Sequence, residues 1–328
     1  MIPVALGFFT ATLMMKQSNR TFYRYRAFNT ATLQSLCNDT LYFSPPGMFN
    51  DPLDCSPTVE CDSTNDQLRG LLEGLIRRRV SAEILSSLKE GKLRGEKAAA
   101  HASKWAVAEA KRELADIAYH ATNPDYAVSV DEAEGWLLTS EIEREILRYY
   151  ERGVCCFSTT CTSPLLWSHY GDQHQGLCIG YGTDRIPKPT LHKVIYGGSR
   201  GIKTSMLARA FLDGSEDAKE ELDRNVLLRK ARGWDYEKEW RLIGSQGLQD
   251  SPLLLKEVVF GLRCEHSVIH AVVEALERRD KPVQFFDIYE VRNRYLLRRR
   301  SVNLDELGAS YPKTAMSGDE MFGSNTFR

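Results

Sequence analysis

An α+β fold with a mixed or antiparallel central sheet, possibly split, is what this sequence predicts. Short runs with strand character lie near both ends of the chain, and a long amphipathic helical block separates them. After the block, strands resume with helices interspersed, an order that does not give the regular winding of a parallel βαβ protein.

Taken in order, Thr21 to Phe28 (TFYRYRAF) alternates aromatic residues with arginine, as a strand would. Asn29 or Thr30 then caps a short helix through Cys37. Leu41 to Ser44 reads as a second strand, stopped by Pro45-Pro46-Gly47. Met48 to Asp54 is a polar turn with two carboxylates. From about Asp66 to Glu151, Leu and Ile recur at three- and four-residue intervals among Lys, Arg and Glu, with a break at Asn123-Pro124. This block predicts a helical insertion or lid. Strands follow at Val154 to Ser158, Leu177 to Tyr181 and His192 to Tyr196, then a helix from Ser205 to Lys230. Further strands are expected at Glu239 to Ile243, Leu253 to Phe260 and Val283 to Val291, with a helix at Ser267 to Arg279. Beyond Asp305 the chain is rich in Gly, Ser and Thr, the composition of a flexible tail.

At the other end, Ile2 to Met15 is almost wholly apolar, with no preceding positive charge. It is shorter than the roughly 20 residues that cross a bilayer, and it lacks the basic start of a signal peptide. Translation starting at Met14 or Met15 is an alternative reading. The expected organisation is an apolar extension over 1–20, one α+β domain over 21–304 with its helical insertion at about 66–151, and a tail over 305–328.

The chain has 328 residues, with 43 basic against 44 acidic side chains and a formal net charge of -1. A near-neutral balance removes any global electrostatic argument for nucleic acid or a membrane surface, leaving only local patches. No membrane partner is expected. Eight cysteines are sparse, two are adjacent, and none shows the paired C-x-x-C spacing of zinc sites. They read as reduced thiols of a cytoplasmic protein. No metal ligand set is expected.

Four constellations carry candidate chemistry. On a strand, Arg24 and Arg26 share one face and Tyr23 and Tyr25 the other. Guanidinium offers a fork for phosphate or carboxylate, and tyrosine a stacking surface; an edge strand with one wet face explains the same pattern. Asn50, Asp51 and Asp54 suit a divalent cation or a ribose, and are equally standard turn formers. Ser158, Thr159 and Thr160 precede Trp167-Ser168-His169-Tyr170, a dense polar-aromatic cluster that includes a titratable His169. Glu237 and Glu239 share a face if the strand begins early, and their repulsion can raise one pKa for acid, base or ribose-holding work. The basic stretch from Arg292 to Arg300 is a possible nucleic-acid contact, or a solvated strand end.

The ordered set Phe22-Tyr23-Arg24-Tyr25, Phe49-Asn50-Asp51-Pro52, Trp167-Ser168-His169-Tyr170 and Tyr236-Glu237-Lys238-Glu239-Trp240-Arg241 resembles a bacterial domain-of-unknown-function family, family 2971. That family implies no established chemistry. A more distant resemblance is to the ADP-ribosyltransferases, on Arg24, then Ser158-Thr159-Thr160, then Glu237-Lys238-Glu239. It implies NAD as substrate. Arg24, Tyr25, Ser158, Thr159, Tyr170, Asn50 and Asp51 would then bind the cofactor, and Glu239, Glu237 and His169 would be catalytic. Thr160 stands where that pattern has a second Ser, and the helical block before Ser158 is unusual for it. The function expected is an NAD-consuming transferase or glycohydrolase, an effector in toxin or phage-defence settings. A metal-dependent phosphodiesterase or nuclease, and a non-catalytic module binding a nucleotide or a partner, are the alternatives. The nuclease D/E-x-K element is absent around Lys238 and Lys256.

Overall fold

A computed structural model describes residues 20–316 and residue 320. The apolar run Ile2–Met15 and the end of the expected tail lie outside the described residues. The chain opens with β1 (Phe22–Arg26), α1 (Thr30–Asn38) and β2 (Thr40–Phe43). Asn29 caps α1 by accepting from Thr32 N at 2.9 Å, and Asp39 ends it in the left-handed region at φ 54°. After β3 (Thr58–Glu60) come the long helices α2 (Asn65–Glu90), α3 (Glu96–Ala121) and α4 (Val130–Tyr149). A reciprocal capping box of Thr64 and Gln67 starts α2.

The second half runs β4 (Gly153–Phe157), α5 (Pro164–Tyr170), β5 (Leu177–Gly182), β6 (His192–Lys193), β7 (Ile195–Tyr196), β8 (Gly201–Lys203), α6 (Thr204–Phe211) and α7 (Glu216–Leu227). It continues through β9 (Arg229–Lys230), β10 (Trp240–Gly244), β11 (Gly247–Asp250), β12 (Leu254–Phe260), α8 (His266–Leu276), β13 (Gln284–Glu290), β14 (Leu297–Ser301) and α9 (Leu304–Ser310).

Five strands form a mixed sheet in the order β1-β5-β12-β13-β14, parallel only between β12 and β13. A second, antiparallel sheet has the order β4-β10-β6. The two meet where Tyr23 and Ser158 exchange backbone hydrogen bonds of 2.8 and 2.7 Å. β1 and β4 do not continue pairing beyond that bridge, so the α+β expectation holds and the sheet is split.

Three apolar cores hold the layers. One, with Phe22, Leu36, Phe157, Trp240 and Phe260, lies between the sheets and α1, α8 and α9. A second joins α2, α3 and α4 to α6 and α7 through Leu68, Leu72, Ile76, Ile142, Leu207 and Leu222. The amphipathic stripes of the helical block thus close on each other and on two later helices. The third packs Tyr23 and Tyr25 against Trp167, Val259 and Leu297 on the opposite face of the five-stranded sheet.

Several boundaries differ from expectation. The single helix expected from Ser205 to Lys230 is two, interrupted at Gly214 (φ 69°) and restarted by the Ser215 cap. The strand expected at Glu239 begins at Trp240, because Arg232–Glu237 coil into a 3-10 turn that Lys238 ends at φ 49°. The expected tail is ordered at its start: Asn303 caps α9, whose Leu307 is buried in the first core. The strands β3, β8 and β11 are too short to leave a periodic signal. Among the described residues, no helix is long and apolar enough to cross a membrane.

Candidate functional site

At the split between β1 and β4 lies a cavity of about 320 Å³. The 44–54 turn and the 3-10 turn before β10 complete its wall. Arg24, Tyr25, Asn50, Ser158, Tyr170, Glu237 and Glu239, all expected at a site, line this one cavity. His169, Thr159 and Asp51 do not. His169 is exposed, its ring tilted against Tyr170 and Tyr236 at 6.2 and 6.5 Å. Asp51 accepts from Trp234 Nε1 at 2.7 Å and from Leu53 N at 2.9 Å, and so secures the turn.

The cavity floor is a compact ion cluster. Lys230 Nζ lies 2.6 Å from Glu237 Oε2, 2.9 Å from Glu239 Oε2 and 3.4 Å from Asp54 Oδ2. Arg241 is fully buried and holds Glu239 through Nε at 2.8 Å and Asp54 through Nη2 at 2.7 Å. Its Nη1 reaches Leu227 O at 2.8 Å and Cys55 Sγ at 3.0 Å. Glu237 and Glu239 do not share a strand face as expected; the turn at Lys238 separates them, and they converge because Lys230 sits between them. Asp54 was singled out with Asn50 and Asp51 for a cation or a ribose, and here it pairs with Arg241 and Lys230 instead; Lys230 was not singled out, since it belongs to no recognisable motif.

These contacts split the two glutamates electrostatically. Burial opposes ionisation of Glu239, yet Arg241 and Lys230 overcome it and bring the carboxyl down to about 2. At Glu237 burial dominates the pull of Lys230, and the carboxyl is raised. Lys230 is held protonated against the cost of its burial by Glu239, Glu237 and Asp54. Three carboxylates face two cations, and of the two glutamates Glu237 more readily takes a proton. Its other oxygen accepts from Tyr170 Oη at 2.8 Å, which in turn accepts from Asn50 Nδ2 at 2.9 Å. Ser158 Oγ donates to the Glu237 carbonyl at 2.7 Å, and the Glu239 amide donates to Tyr196 Oη at 2.7 Å.

The part of the lining supplied by β1 is cationic. Arg24 donates to Cys155 Sγ at 2.8 Å and to Tyr42 O at 2.9 Å. Arg26 has no side-chain hydrogen-bond partner among the described residues, and burial followed by the nearby charge of Arg24 lowers its pKa. Neither arginine is paired with a carboxylate among the described residues. Two like charges on one strand face, partly buried and unneutralised, form a ready site for an anion.

Trp167 explains why the W-x-H-Y segment reads as a unit. It is fully buried, donates from Nε1 to Cys161 O at 2.8 Å and packs edge-on to Tyr25 at 5.1 Å. One helical turn on, Tyr170 is thereby aimed at the cavity. The following turn places Asp172, Gln173 and His174 at φ of 50°, 50° and 72°. Gly176 closes it where a Cβ would stand 2.3 Å from Arg26 O. All eight cysteines are free thiols. The group with metal-ligand spacing among the described residues is Glu113, Glu141 and Glu145 in the helical layer, and Arg79 and Arg148 already pair with it.

Fold and site define an α+β protein with a split sheet and an ion-lined cavity at the split. Residues 166–242 match the model of a family described as protein of unknown function (DUF2971), which bears out the family resemblance read from sequence. The matched segment runs from α5, with Trp167 and Tyr170, to Arg241 on β10, and so includes Lys230 and both glutamates. No curated protein and no solved structure matches the chain.

Proposed function

We propose that the chain is an NAD-consuming enzyme, of transferase or glycohydrolase type, whose reaction cleft is the split between β1 and β4. One observation carries this reading: Arg24 and Arg26, unpaired by any carboxylate among the described residues, line the same cavity as Ser158, Tyr170 and Glu237. A dinucleotide offers a pyrophosphate for the arginines and a ribose for the carboxylate. When the glycosidic bond of NAD breaks, positive charge grows on the ribose as nicotinamide departs. A fixed carboxylate then stabilises the transition state more than the ground state.

Glu237 suits that role better than Glu239. Glu239 is held by two cations, Arg241 and Lys230, and so positions Lys230, whereas Glu237 meets one cation, Lys230, and the neutral hydroxyl of Tyr170. The same pairing argues against the metal-dependent reading, since Asp54, Glu237 and Glu239 already turn oxygens to Lys230 and Arg241. His169, exposed and outside the cavity lining, is given no part in the proposed step.

The test is nicotinamide release from NAD. Glu237→Gln should lower kcat at least about a hundredfold, the effect of losing one preorganised electrostatic contact, with NAD binding little changed. Arg24→Ala should mainly weaken binding. Because the Glu237 carboxyl is raised and the ionised form is the active one, the rate should fall on acidification at a pH above the ordinary glutamate range. Full turnover by Glu237→Gln would overturn the assignment. Absence of NAD binding by the wild type would overturn the reading itself.

A further inference from the structure

The hairpin of β13 and β14 carries a second cationic surface, away from the cavity wall. β14 is the free edge of the five-stranded sheet, and its alternation sorts the arginines of the 292–300 stretch. Arg299 points inward, bound to Glu257 and stacked 4.2 Å from the Phe286 ring. Arg300 is closed on Asp287 at 2.9 Å. Arg292, Arg294 and Arg298 are exposed, and none has an ion pair or side-chain hydrogen bond among the described residues. Between 288 and 303 the sequence holds one carboxylate, Glu290, which pairs with Leu297 at the last ladder position before the tip, against the three free arginines. Between the free arginines, Tyr295 is fully exposed, and its neighbour Leu296 is 40% exposed.

A chain with balanced charge gains nothing in folding from leaving three guanidinium groups and a tyrosine ring bare at one hairpin tip. Charged edges do deter sheet-to-sheet pairing, but Arg298 on the strand suffices for that, and the tip does not pair. Guanidinium groups flanking a free aromatic face are the combination that holds phosphates while a base stacks between them. An acidic peptide would use the arginines and leave the ring idle. Duplex DNA keeps its bases stacked on each other, out of reach of a tip tyrosine. We infer that the β13–β14 hairpin tip binds single-stranded nucleic acid, with Arg292, Arg294 and Arg298 on phosphates and Tyr295 against a base.

Three phosphate contacts predict modest affinity, with log K falling against log salt at a slope of about -2. Fluorescence anisotropy of a labelled oligothymidine of about twenty nucleotides, long enough for one such site, tests this on the full chain. The wild type should bind the oligothymidine better than a duplex of equal length or polyglutamate. Tyr295→Ala should weaken oligothymidine binding several-fold, and Arg292→Ala with Arg294→Ala and Arg298→Ala should weaken it at least tenfold and flatten the salt slope. All four side chains are exposed, so these variants keep the fold, and circular dichroism verifies it. Arg24→Ala should bind the oligothymidine as the wild type does, which separates this surface from the cavity. Equal binding of polyglutamate or duplex, or wild-type binding by the triple variant or by Tyr295→Ala, would overturn the inference.

Discussion

Arg241 shows how much one side chain can organise. It is fully buried, and its partners come from the 44–54 turn (Asp54), the end of α7 (Leu227) and its own strand approach (Glu239). A buried charge needs every donor satisfied, and here it is. Replacing Glu239 by Gln keeps the shape but leaves Arg241 and Lys230 short of one anion. The expected cost is roughly 3–5 kcal/mol, the range for breaking a buried pair, measured as a shift in the denaturant midpoint. The pH dependence has a definite sign. The folded Glu239 carboxyl sits near 2, below its ordinary value of 4.5, so its contribution is complete above about pH 4.5 and is lost as pH falls toward 2. That contribution is about 3 kcal/mol in order of magnitude. Glu237, with its carboxyl raised, works in the opposite sense. The check is therefore a comparison: the wild type should lose more stability between pH 5 and 2 than Glu239→Gln does.

Among the elements, the turn from Gly171 to Gly176 decides where β1 ends relative to α5. Gly176 N reaches Gly171 O at 2.9 Å, and Gly261 N reaches Gly176 O at 3.0 Å, so the turn is knitted to β12 as well. A Cβ at 176 would stand 2.3 Å from Arg26 O and 3.0 Å from Gly171 O, both backbone atoms that cannot swing aside. Gly176→Ala should therefore cost about 1–3 kcal/mol, the range for overpacking, and loosen the strand end that carries Arg26. On the proposed reading, NAD affinity should fall along with the thermal midpoint. Unchanged affinity would show that Arg26 does not depend on this contact. At α1 the stake is smaller: Asn29→Ala removes one cap bond and should cost about 1 kcal/mol.

For the whole molecule, the cores are linked through the site. Cys55 belongs to the helical core and lies 3.0 Å from Arg241 Nη1, while Arg241 leads through β10 to the sheets. Damage to the helical layer should thus reach the cavity. Leu72→Ala, at a fully buried position between the helices, should cost about 2–5 kcal/mol as a cavity. Native-state hydrogen exchange should also rank the strands. β5, buried along its whole length between β1 and β12, should exchange slowest, and edge β14 fastest. Equal protection of the two would contradict this layering.

Sequence by itself determined the fold class, because strand alternation and helical periodicity are local signals. Thr21 to Phe28, Asn29 as a cap and the break at Asn123-Pro124 were all legible in that way. Arg24, Ser158, His169 and Glu239 could be grouped as site candidates because polar and aromatic residues are dense in each segment, and all but His169 line the cavity. The tertiary structure alone decided what those residues contact. Lys230 joins two glutamates that no strand periodicity could align, and Asp54 meets Arg241 across 187 positions of chain. His169 fell outside the cavity wall because the burial of Trp167 sets the rotation of α5, which turns Tyr170 inward and His169 out. Ion-pair geometry of this kind depends on through-space distances of a few ångströms between side chains far apart in sequence, and residue spacing carries no record of them.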